Sequence, residues 1–445
     1  MTALVATARR YVDASSVLTL FLILGAVPTY LTITVVGAIG RPIVLVSLGM
    51  LAWWLAHQVQ RPFGAEQAPQ PLRWILLAFV IAVVASYASA MFRGLPVDEL
   101  SPAGTGVLRV ASWCGLFLVA HDGLRSWSSL LTMLRRVATA GGLIAALGLA
   151  QFATKNSLLG WLSIPGMSGD GLGGIDMRGG FVRAAGTAAH PLEYGMVLCM
   201  TLPIAMTLAM EDKERGALAR WWPAALITTA SAISVSRSAL IALVVAMTVL
   251  FITWSRKQRW AAVASAMVVG ALVYLAVPGM AGTIIGLFSG AAQDSSVVSR
   301  VSGYDVAFGM VERLPAFGRG FGTLLPTYVY LDNQYLGIIV ELGLAGLACV
   351  VALFVTGALL AWRARASARS HVEEQVGAAL TAAICAGATS FAFFDALSFP
   401  MSASFIFLVL GFAGAYRRIL RAGRPEANEA TVRRGAGPRH LGGTL

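Results

Sequence analysis

The sequence predicts an all-α, polytopic integral membrane protein with about twelve transmembrane helices and two long extracytoplasmic loops. Three observations support this fold class. Of the 445 residues, 57% are hydrophobic and only 12% are charged, which leaves too few polar side chains to cover a soluble globule of this size. Apolar runs close to the roughly 20 residues that cross a bilayer recur along the whole chain. Basic residues gather between alternate runs, as the positive-inside rule requires of cytoplasmic loops.

The apolar runs define the individual spans. Arg9 and Arg10 precede the first run, but no small-residue cleavage site follows it, so we expect this span to be retained as an anchor. All four cysteines fall inside apolar runs, where thiols behave as small hydrophobes, and their spacing predicts neither a disulfide framework nor a zinc site. The predicted spans lie near 15–37, 41–57, 72–92, 104–120, 135–153, 190–210, 221–235, 238–254, 260–277, 334–361, 375–394 and 400–416.

Basic residues also set the orientation, because they resist translocation across the membrane. With both termini in the cytoplasm, every predicted inner loop is basic, and the even-numbered helices run inward. The net charge of +12 therefore reflects topology and does not indicate a nucleic-acid partner. The inner basic residues are Arg9, Arg10, Arg61, Arg73, Arg125, Arg135, Arg136, Lys213, Arg215, Arg220, Arg256, Lys257, Arg259, Arg363, Arg365, Arg369 and those from Arg417 to Arg439.

Loop lengths divide the chain further. Most cytoplasmic connections are short, whereas two outer segments, 154–189 and 278–333, are long and contain glycine-rich runs. Long loops without repeats are usually functional. We predict N-terminal transmembrane helices over 1–153, core helices with the two outer loops over 154–361, a C-terminal helix pair over 362–416 and a disordered basic tail over 417–445.

Several arginines stand on the outer side, where the topology rule disfavours them. A guanidinium group binds phosphate through two parallel hydrogen bonds, so their clustering indicates an oxyanion ligand. The alternative is that each one pairs with a carboxylate of the same loops. The outer arginines are Arg178, Arg183, Arg237, Arg300, Arg313 and Arg319, and the candidate carboxylates are Asp170, Asp176, Asp294, Asp305 and Glu312.

Two of these arginines precede helices that run inward. The sixth predicted helix opens at His190-Pro191, since proline is favoured at the first helical position, and the eighth opens just after Ser236-Arg237-Ser238, where a serine can cap it. Both helix N-termini then face the outer surface and offer unpaired N–H groups and a partial positive charge. Arg183 and Arg237 beside them predict a site for a diphosphate.

Asp332 stands before the tenth predicted helix, at the end of the second long loop. Two interpretations fit this position. Aspartate is a preferred helix N-cap, so Asp332 could close the helix. It also lies at the outer depth of the arginines, where a carboxylate could act as a general base.

Other polar residues near the same level are weaker candidates. His190 fits a proton acceptor, a helix cap or a hydrogen-bonding group for substrate. Arg109 lies within the fourth helix, where an ionised group usually faces a cavity or a partner such as Asp395. Glu193, one turn into the sixth helix, could pair with Arg183 or hold an acceptor.

At these residues the chain resembles the O-antigen ligase and polymerase superfamily of bacterial envelope glycosyltransferases. The resemblance covers the sixth to tenth helices, and its motifs are short but ordered along the chain. They are Arg183-Ala-Ala-Gly186-Thr187 through His190-Pro191, Ser236-Arg237, Arg300 followed by Pro315-Ala-Phe-Gly318-Arg-Gly320, and Asp332-Asn333-Gln-Tyr335-Leu336 with Glu341-Leu-Gly343.

The resemblance implies a metal-independent enzyme of the GT-C type, without a cofactor, in the bacterial cytoplasmic (inner) membrane. Such an enzyme transfers glycan from a polyprenyl (undecaprenyl) diphosphate donor to a saccharide or glycolipid acceptor at the extracytoplasmic side. Arg183 and Arg237 match the arginines that bind the diphosphate, and Asp332 is the candidate base. Asp332 falls where ligases commonly carry a histidine, which favours the polymerase type. Substrate contacts are assigned to Arg300, Arg319, His190, Glu193, Asn333, Tyr335 and Arg109.

The chemistry agrees with this assignment. Displacing a diphosphate from an anomeric carbon builds negative charge on the leaving group, which fixed arginines and helix N-termini stabilise in the transition state. A transporter or flippase of lipid-linked saccharides is the alternative, because about twelve helices suit it. Transporters place ionisable groups near the midplane, whereas this sequence crowds them at one face and offers mainly Arg109 inside.

Overall fold

The computed structural model describes residues 14–60, 70–169, 176–178, 180–234, 236–279, 282–283, 285–286 and 295–422. The predicted tail beyond residue 422 lies outside the described residues, as do Arg9, Arg10, Arg61, Asp170 and Asp294. Within the described chain the helices are α1 (Ala14–Leu24), α2 (Pro42–Val59), α3 (Pro71–Arg93), α4 (Val97–Gly123), α5 (Trp127–Thr154), α6 (Pro191–Glu211), α7 (Ala217–Ala232), α8 (Arg237–Thr253), α9 (Arg256–Ala276), α10 (Ser295–Arg313), α11 (Gln334–Ala364), α12 (His371–Phe391) and α13 (Pro400–Ala422).

The predicted fold class is confirmed in outline, since the chain is a mostly helical, polytopic membrane protein. Eight helices of the described chain are long and apolar enough to cross a membrane. They are α2, α3, α4, α5, α6, α9, α11 and α13, and the shorter helices α1 and α8 are also apolar. Each predicted span overlaps a helix, and α13 extends past the predicted end at 416 to Ala422.

Two expectations about individual segments were wrong. The first span was expected to reach residue 37, but α1 ends at Leu24, and the strand β1 (Leu31–Ile33) follows a turn at Gly25 and Pro28. Glycine and proline both disfavour continuation of a helix. The second long outer segment was expected to be a loop, yet it contains α10.

Six helices begin at the same end of the bundle, which we call the upper face: α2, α4, α6, α8, α11 and α13. Side-chain contacts at the starts of α6, α11 and α13 bring these three helix starts together. Glu193 near the start of α6 accepts a hydrogen bond from the backbone N–H of Met401 at the start of α13 (2.6 Å). Gln334 at the start of α11 accepts one from Leu397, just before α13 (2.7 Å). These helices correspond to the even-numbered predicted spans, which therefore run parallel.

Helices α6, α12 and α13 form the centre of the bundle, and α12 packs against α6, α8, α11 and α13. Small residues allow this close packing, since a Cβ added at Gly387 of α12 would lie 2.7 Å from Ile406 Cδ1. At the other extreme, none of the residues of α9 is buried, and its apolar side chains face outward. Such a helix is suited to contact lipid.

The first long outer segment forms two small antiparallel sheets. In one, β1 pairs with β2 (Met167–Gly169), which ties the segment to the α1–α2 connection. In the other, β3 (Asp176–Arg178) and β4 (Phe181–Arg183) form a hairpin in which Asp176 stands opposite Arg183. The hairpin leads directly to the start of α6, so it fixes the position of Arg183 at the upper face.

The second long segment is joined to a break in α11. Gly343 has φ +66°, which interrupts the helix, and the N–H groups of Leu344 and Ala345 bond to the carbonyls of Pro315 and Ala316 instead. Residues 315–324, which we call the inserted segment, thus supply the backbone partners that the broken helix lacks. A Cβ at Gly343 would lie 2.4 Å from the carbonyl carbon of Ala316, so only glycine fits.

Close packing of α2 against α4 gives a test of the fold. A Cβ added at Gly115 would lie 2.3 Å from Ser47 O and 2.6 Å from Leu51 N, whereas one added at Gly104 of the same helix meets nothing within 4 Å. We expect Gly115→Ala to destabilise the protein by about 1–3 kcal/mol through overpacking, and Gly104→Ala to be neutral or slightly stabilising. Thermal unfolding of both variants in detergent measures the difference, and equal melting temperatures would contradict the packing.

Candidate active site

The starts of α6 and α8 lie side by side at the upper face. A Cβ added at Gly195, one turn into α6, would lie 3.0 Å from Ala239 Cβ in the first turn of α8. The Cys199 thiol of α6 donates a hydrogen bond to the carbonyl of the same Ala239 (3.1 Å). Two helix N-termini, each carrying a partial positive charge, are therefore neighbours.

The sequence predicted the start of α6, and α8 begins one residue before its predicted start at 238. Pro191 is the first residue of α6, and Ser236 is the N-cap of α8, with its hydroxyl oxygen accepting from the Ala239 N–H (3.4 Å). Arg237 is the first residue of α8 and is partly exposed. Arg183 acts on His190 at the start of α6 and Arg237 opens α8, and their role in binding a diphosphate stays a prediction.

Arg183 forms the ion pair that we considered as the alternative to phosphate binding. Its Nη1 lies 2.7 Å from Asp176 Oδ2, and the two residues face each other across the β3–β4 hairpin. The Arg183 side chain is 9% exposed and that of Asp176 is 40% exposed. Asp176 therefore holds the guanidinium in position from the more solvated side.

His190 caps α6 and lies beside this ion pair. Its Nδ1 accepts a hydrogen bond from the Leu192 N–H (3.1 Å), which places the proton of a neutral ring on Nε2. Burial, followed by the positive charge of Arg183, lowers the pKa of His190 to about 4. The ring is therefore neutral at pH 7 and presents an N–H donor, which suits a hydrogen bond to a substrate oxygen better than proton acceptance.

Glu193 is fully buried and joins two helix starts. One carboxylate oxygen accepts hydrogen bonds from the Ala189 N–H (2.7 Å) and the Thr29 hydroxyl (3.3 Å), and the other from the N–H groups of Met401 (2.6 Å) and Ser402 (3.3 Å). These contacts indicate a positioning role. The predicted contact of Glu193 with an acceptor stays a prediction, and the ion pair of Arg183 is formed with Asp176.

The start of α11 corrects one interpretation of Asp332. The N-cap is Asn333, whose Oδ1 accepts from the N–H groups of Tyr335 (3.0 Å) and Leu336 (3.4 Å). Asp332 is therefore not the cap. Asparagine and aspartate cap about equally well, so the sequence could not decide between adjacent positions.

The neighbours of Asp332 anchor α11 to the rest of the bundle. The Tyr335 hydroxyl donates to the carbonyl of Ala388 in α12 (2.7 Å), and Gln334 Oε1 accepts from the Leu397 N–H (2.7 Å). The contacts of Asn333 and Tyr335 are thus internal, and their predicted roles in substrate binding stay predictions. Asp332 itself is partly exposed at this level.

Asp395 is an acidic residue that the structure brings to the same place. It lies in the α12–α13 connection, 392–399, where burial raises its pKa to about 6, and the negative charge of Asp332 adds to that shift. Arg109 of α4 donates to the carbonyl of Leu397 in this connection and attracts both Asp395 and the buried Glu341. The predicted interaction between Arg109 and Asp395 is therefore present as a charge interaction.

A further cation was missed by the sequence analysis. Arg41 immediately precedes α2, and its charge acts on both Arg109 and Glu193. The sequence does contain a signal for this residue. Arg41 precedes a proline that opens a helix, so it stands at a helix start, as Arg237 does at the start of α8. The upper face thus carries Arg41, Arg109, Arg183 and Arg237 together with Asp332 and Asp395.

Arg319 has a different environment from the one we expected. Its guanidinium contacts the almost fully buried Glu99 of α4 (2.5 Å) and lies over the ring of Tyr328 (4.8 Å). Glu99 also binds Arg93 (3.0 Å) and the Tyr328 hydroxyl (2.9 Å). Arg319 therefore fastens the inserted segment to α4. For this arginine, the alternative of pairing with a carboxylate is the one observed, although its partner is Glu99 and not a carboxylate of the outer loops. The side chains of Arg178 and Arg300 lie outside the described part of the chain.

An apolar cavity of about 590 Å³ opens beside the hairpin, between the ends of α5, α7 and α9. Phe181 and Val182, which precede Arg183 on β4, line it, and Phe181 stacks on Phe152 of α5 (6.4 Å). An apolar chain in this cavity would therefore end close to Arg183.

Among the described residues, no group of three or more His, Cys, Asp or Glu side chains is placed to hold a metal ion.

Together these features define a polytopic membrane protein whose upper face gathers helix N-termini, guanidinium groups and carboxylates. A family model described as O-Antigen ligase matches residues 222–351, which include Arg237, the inserted segment and Asp332. The match confirms the resemblance to the O-antigen ligase and polymerase superfamily, and supports a glycan-handling function of that type in a membrane. A comparison with curated proteins found no significant match.

The pKa of Asp395 predicts how stability depends on pH. Its folded pKa of about 6 exceeds the value of about 3.9 for an unfolded chain, so ionisation of Asp395 costs folded-state stability as pH rises from about 4 through about 6. Asp395→Asn has no such ionisation. We expect the melting temperature of this variant, relative to the parent, to rise between pH 4.5 and pH 7.5. A difference that stays constant or falls would show that Asp395 is not buried beside a like charge.

Proposed function

We propose that this protein is a metal-independent membrane glycosyltransferase. It transfers or polymerises glycan from a polyprenyl (undecaprenyl) diphosphate donor onto a saccharide or glycolipid acceptor. The observation that carries the proposal is the adjacency of the α6 and α8 N-termini, with Arg183 before one and Arg237 opening the other. The O-Antigen ligase match supports the same chemistry.

The diphosphate is the part of the donor that this arrangement fits. As the bond from the anomeric carbon to the diphosphate breaks, negative charge grows on the leaving group, and two helix N-termini with two arginines stabilise it. The neutral His190 adds an N–H donor at the same level. Asp176 keeps Arg183 oriented before donor arrives, which reduces the ordering that binding requires.

The acceptor hydroxyl must lose a proton as the new glycosidic bond forms. We assign this role to Asp332, which is not used as the cap of α11 and lies near Asp395. Asp395 repels the negative charge of Asp332, and Arg109 in turn attracts Asp395. A carboxylate at this position, in place of the histidine common in ligases, favours polymerisation over ligation.

The donor tail fits the apolar cavity beside the β3–β4 hairpin. The cavity is bounded by Phe152, Phe181, Ile233 and Val273, and its lining includes Val182, the residue next to Arg183. The upper face is then the extracytoplasmic side of the bacterial inner membrane, with about twelve spans and both termini in the cytoplasm, in line with the distribution of basic loops. Sugar would be held by the two long outer segments.

Replacing the arginines tests the diphosphate site. We expect Arg183→Ala and Arg237→Ala each to lower the release of polyprenyl diphosphate from a labelled donor by at least about 100-fold, because each removes a charge that stabilises the leaving group. Arg313→Ala, at an exposed arginine that ends α10, is the matched control.

A second control separates catalysis from folding at Arg183. Asp176→Asn breaks the same ion pair from its other side, so it should retain most of the transfer activity. Full activity of both arginine variants would refute the diphosphate site. If the protein in vesicles moves intact donor from one leaflet to the other without cleaving it, the protein is a flippase instead.

Asp332→Asn tests the base. We expect kcat to fall by about 10²–10⁴ with little change in donor KM, because the amide cannot accept the proton. Asp98→Asn makes the same change at an exposed carboxylate in the first turn of α4 and should leave kcat near the parent value. If Asp332→Asn turns over normally, the proton is taken by another group and the assignment is wrong.

A further inference from the structure

A second apolar cavity lies at the opposite end of the bundle from the upper face. It occupies about 640 Å³ between α2, α3 and α4. Its walls are aliphatic side chains, among them Leu51, Leu77, Val80, Val84, Val107 and Val110. Leu77 and Val84 are also exposed on the outside of the bundle, so the cavity opens sideways toward lipid.

The depth of the cavity matches one leaflet of a bilayer. Its lining on α3 runs from Arg73 to Val84, about 17 Å along the helix axis at 1.5 Å per residue. Half of a hydrocarbon core of about 30 Å is about 15 Å. A straight acyl chain that enters from the end where α3 begins therefore fills the cavity and ends near the middle of the membrane.

The end of the cavity that lies at the membrane edge is polar. Gln70, Arg73 and Trp54 line it there. The guanidinium of Arg73 lies 3.5 Å from Asp122 Oδ2 and over the ring of Trp54 (5.6 Å), and the Trp54 indole N–H donates to the same carboxylate (2.9 Å). Arg73 is thus held at the rim with a side chain that is 27% exposed.

The rim is also positively charged overall. Arg125 contacts His57 of α2 (3.2 Å), and Arg418 donates to the carbonyls of His121 and Leu124 at the end of α4. Arg73, Arg125 and Arg418 thus bring three guanidinium groups to this corner, where Asp122 pairs with Arg73. Basic residues at a membrane edge attract anionic lipid headgroups.

We propose that this cavity binds one anionic phospholipid, with an acyl chain between α2, α3 and α4 and the phosphate at Arg73. The apolar walls, the depth of one leaflet and the cationic rim each match one part of such a lipid. The interfacial Trp54 and the exposed Trp74 mark the level of its headgroup. The site is separate from the proposed glycosyltransferase site and does not rest on that function.

Native mass spectrometry of the delipidated protein, titrated with phosphatidylglycerol or phosphatidylcholine, tests the proposal. We expect one phosphatidylglycerol to bind more tightly than phosphatidylcholine. Arg73→Gln should weaken phosphatidylglycerol binding by about fivefold and remove the preference, with Arg256→Gln, an exposed arginine at the same membrane edge, as control.

Val80→Trp gives an independent test that leaves the charges unchanged. The indole fills the cavity and should abolish the single tight lipid, whereas Val263→Trp on the exposed face of α9 should not. Equal binding of both phospholipids with no effect of either cavity variant would overturn the proposal. Displacement of phosphatidylglycerol by a polyprenyl phosphate at equal concentration would overturn it too, since the cavity would then accept the donor's lipid.

Discussion

The buried carboxylate of Glu193 is the contact on which the upper face depends. It accepts N–H groups from the segment before α6 and from the first turn of α13, so it holds two helix starts together at one depth. An ionised group buried in a membrane bundle is costly unless it is fully hydrogen-bonded. These three N–H groups and the Thr29 hydroxyl meet this requirement, and they tie the segment that contains His190 to the connection that contains Asp395.

The carboxylates near this contact are of two kinds. Some bind other parts of the protein, and others are partly exposed at the upper face. Glu99 and Glu341 bind the inserted segment, and Glu193 binds backbone, so three buried carboxylates serve the fold. Asp332 and Asp395 are partly exposed and lie near each other. These two carboxylates keep partial exposure at the upper face, so they can meet a substrate.

Local rules were enough to predict the start of α6 at Pro191 and a serine cap beside Arg237 at the start of α8, because proline geometry and serine capping act within one turn. Contacts distant in sequence were not predictable. The pair of Arg319 with Glu99 joins residues more than two hundred positions apart. Helix α10 was not predicted because its sequence lacks a strong apolar pattern. The position of Asp395 beside Asp332 was not predictable either, because it depends on how α12 and α13 pack.

The central claim is that Arg183 and Arg237, at two adjacent helix N-termini, receive the diphosphate of a lipid-linked glycan. An experimental structure with a non-reactive polyprenyl diphosphate sugar tests this most directly. We predict density for the diphosphate between the starts of α6 and α8, within hydrogen-bond distance of both guanidinium groups. A diphosphate bound elsewhere, with both arginines away from it, would contradict the account.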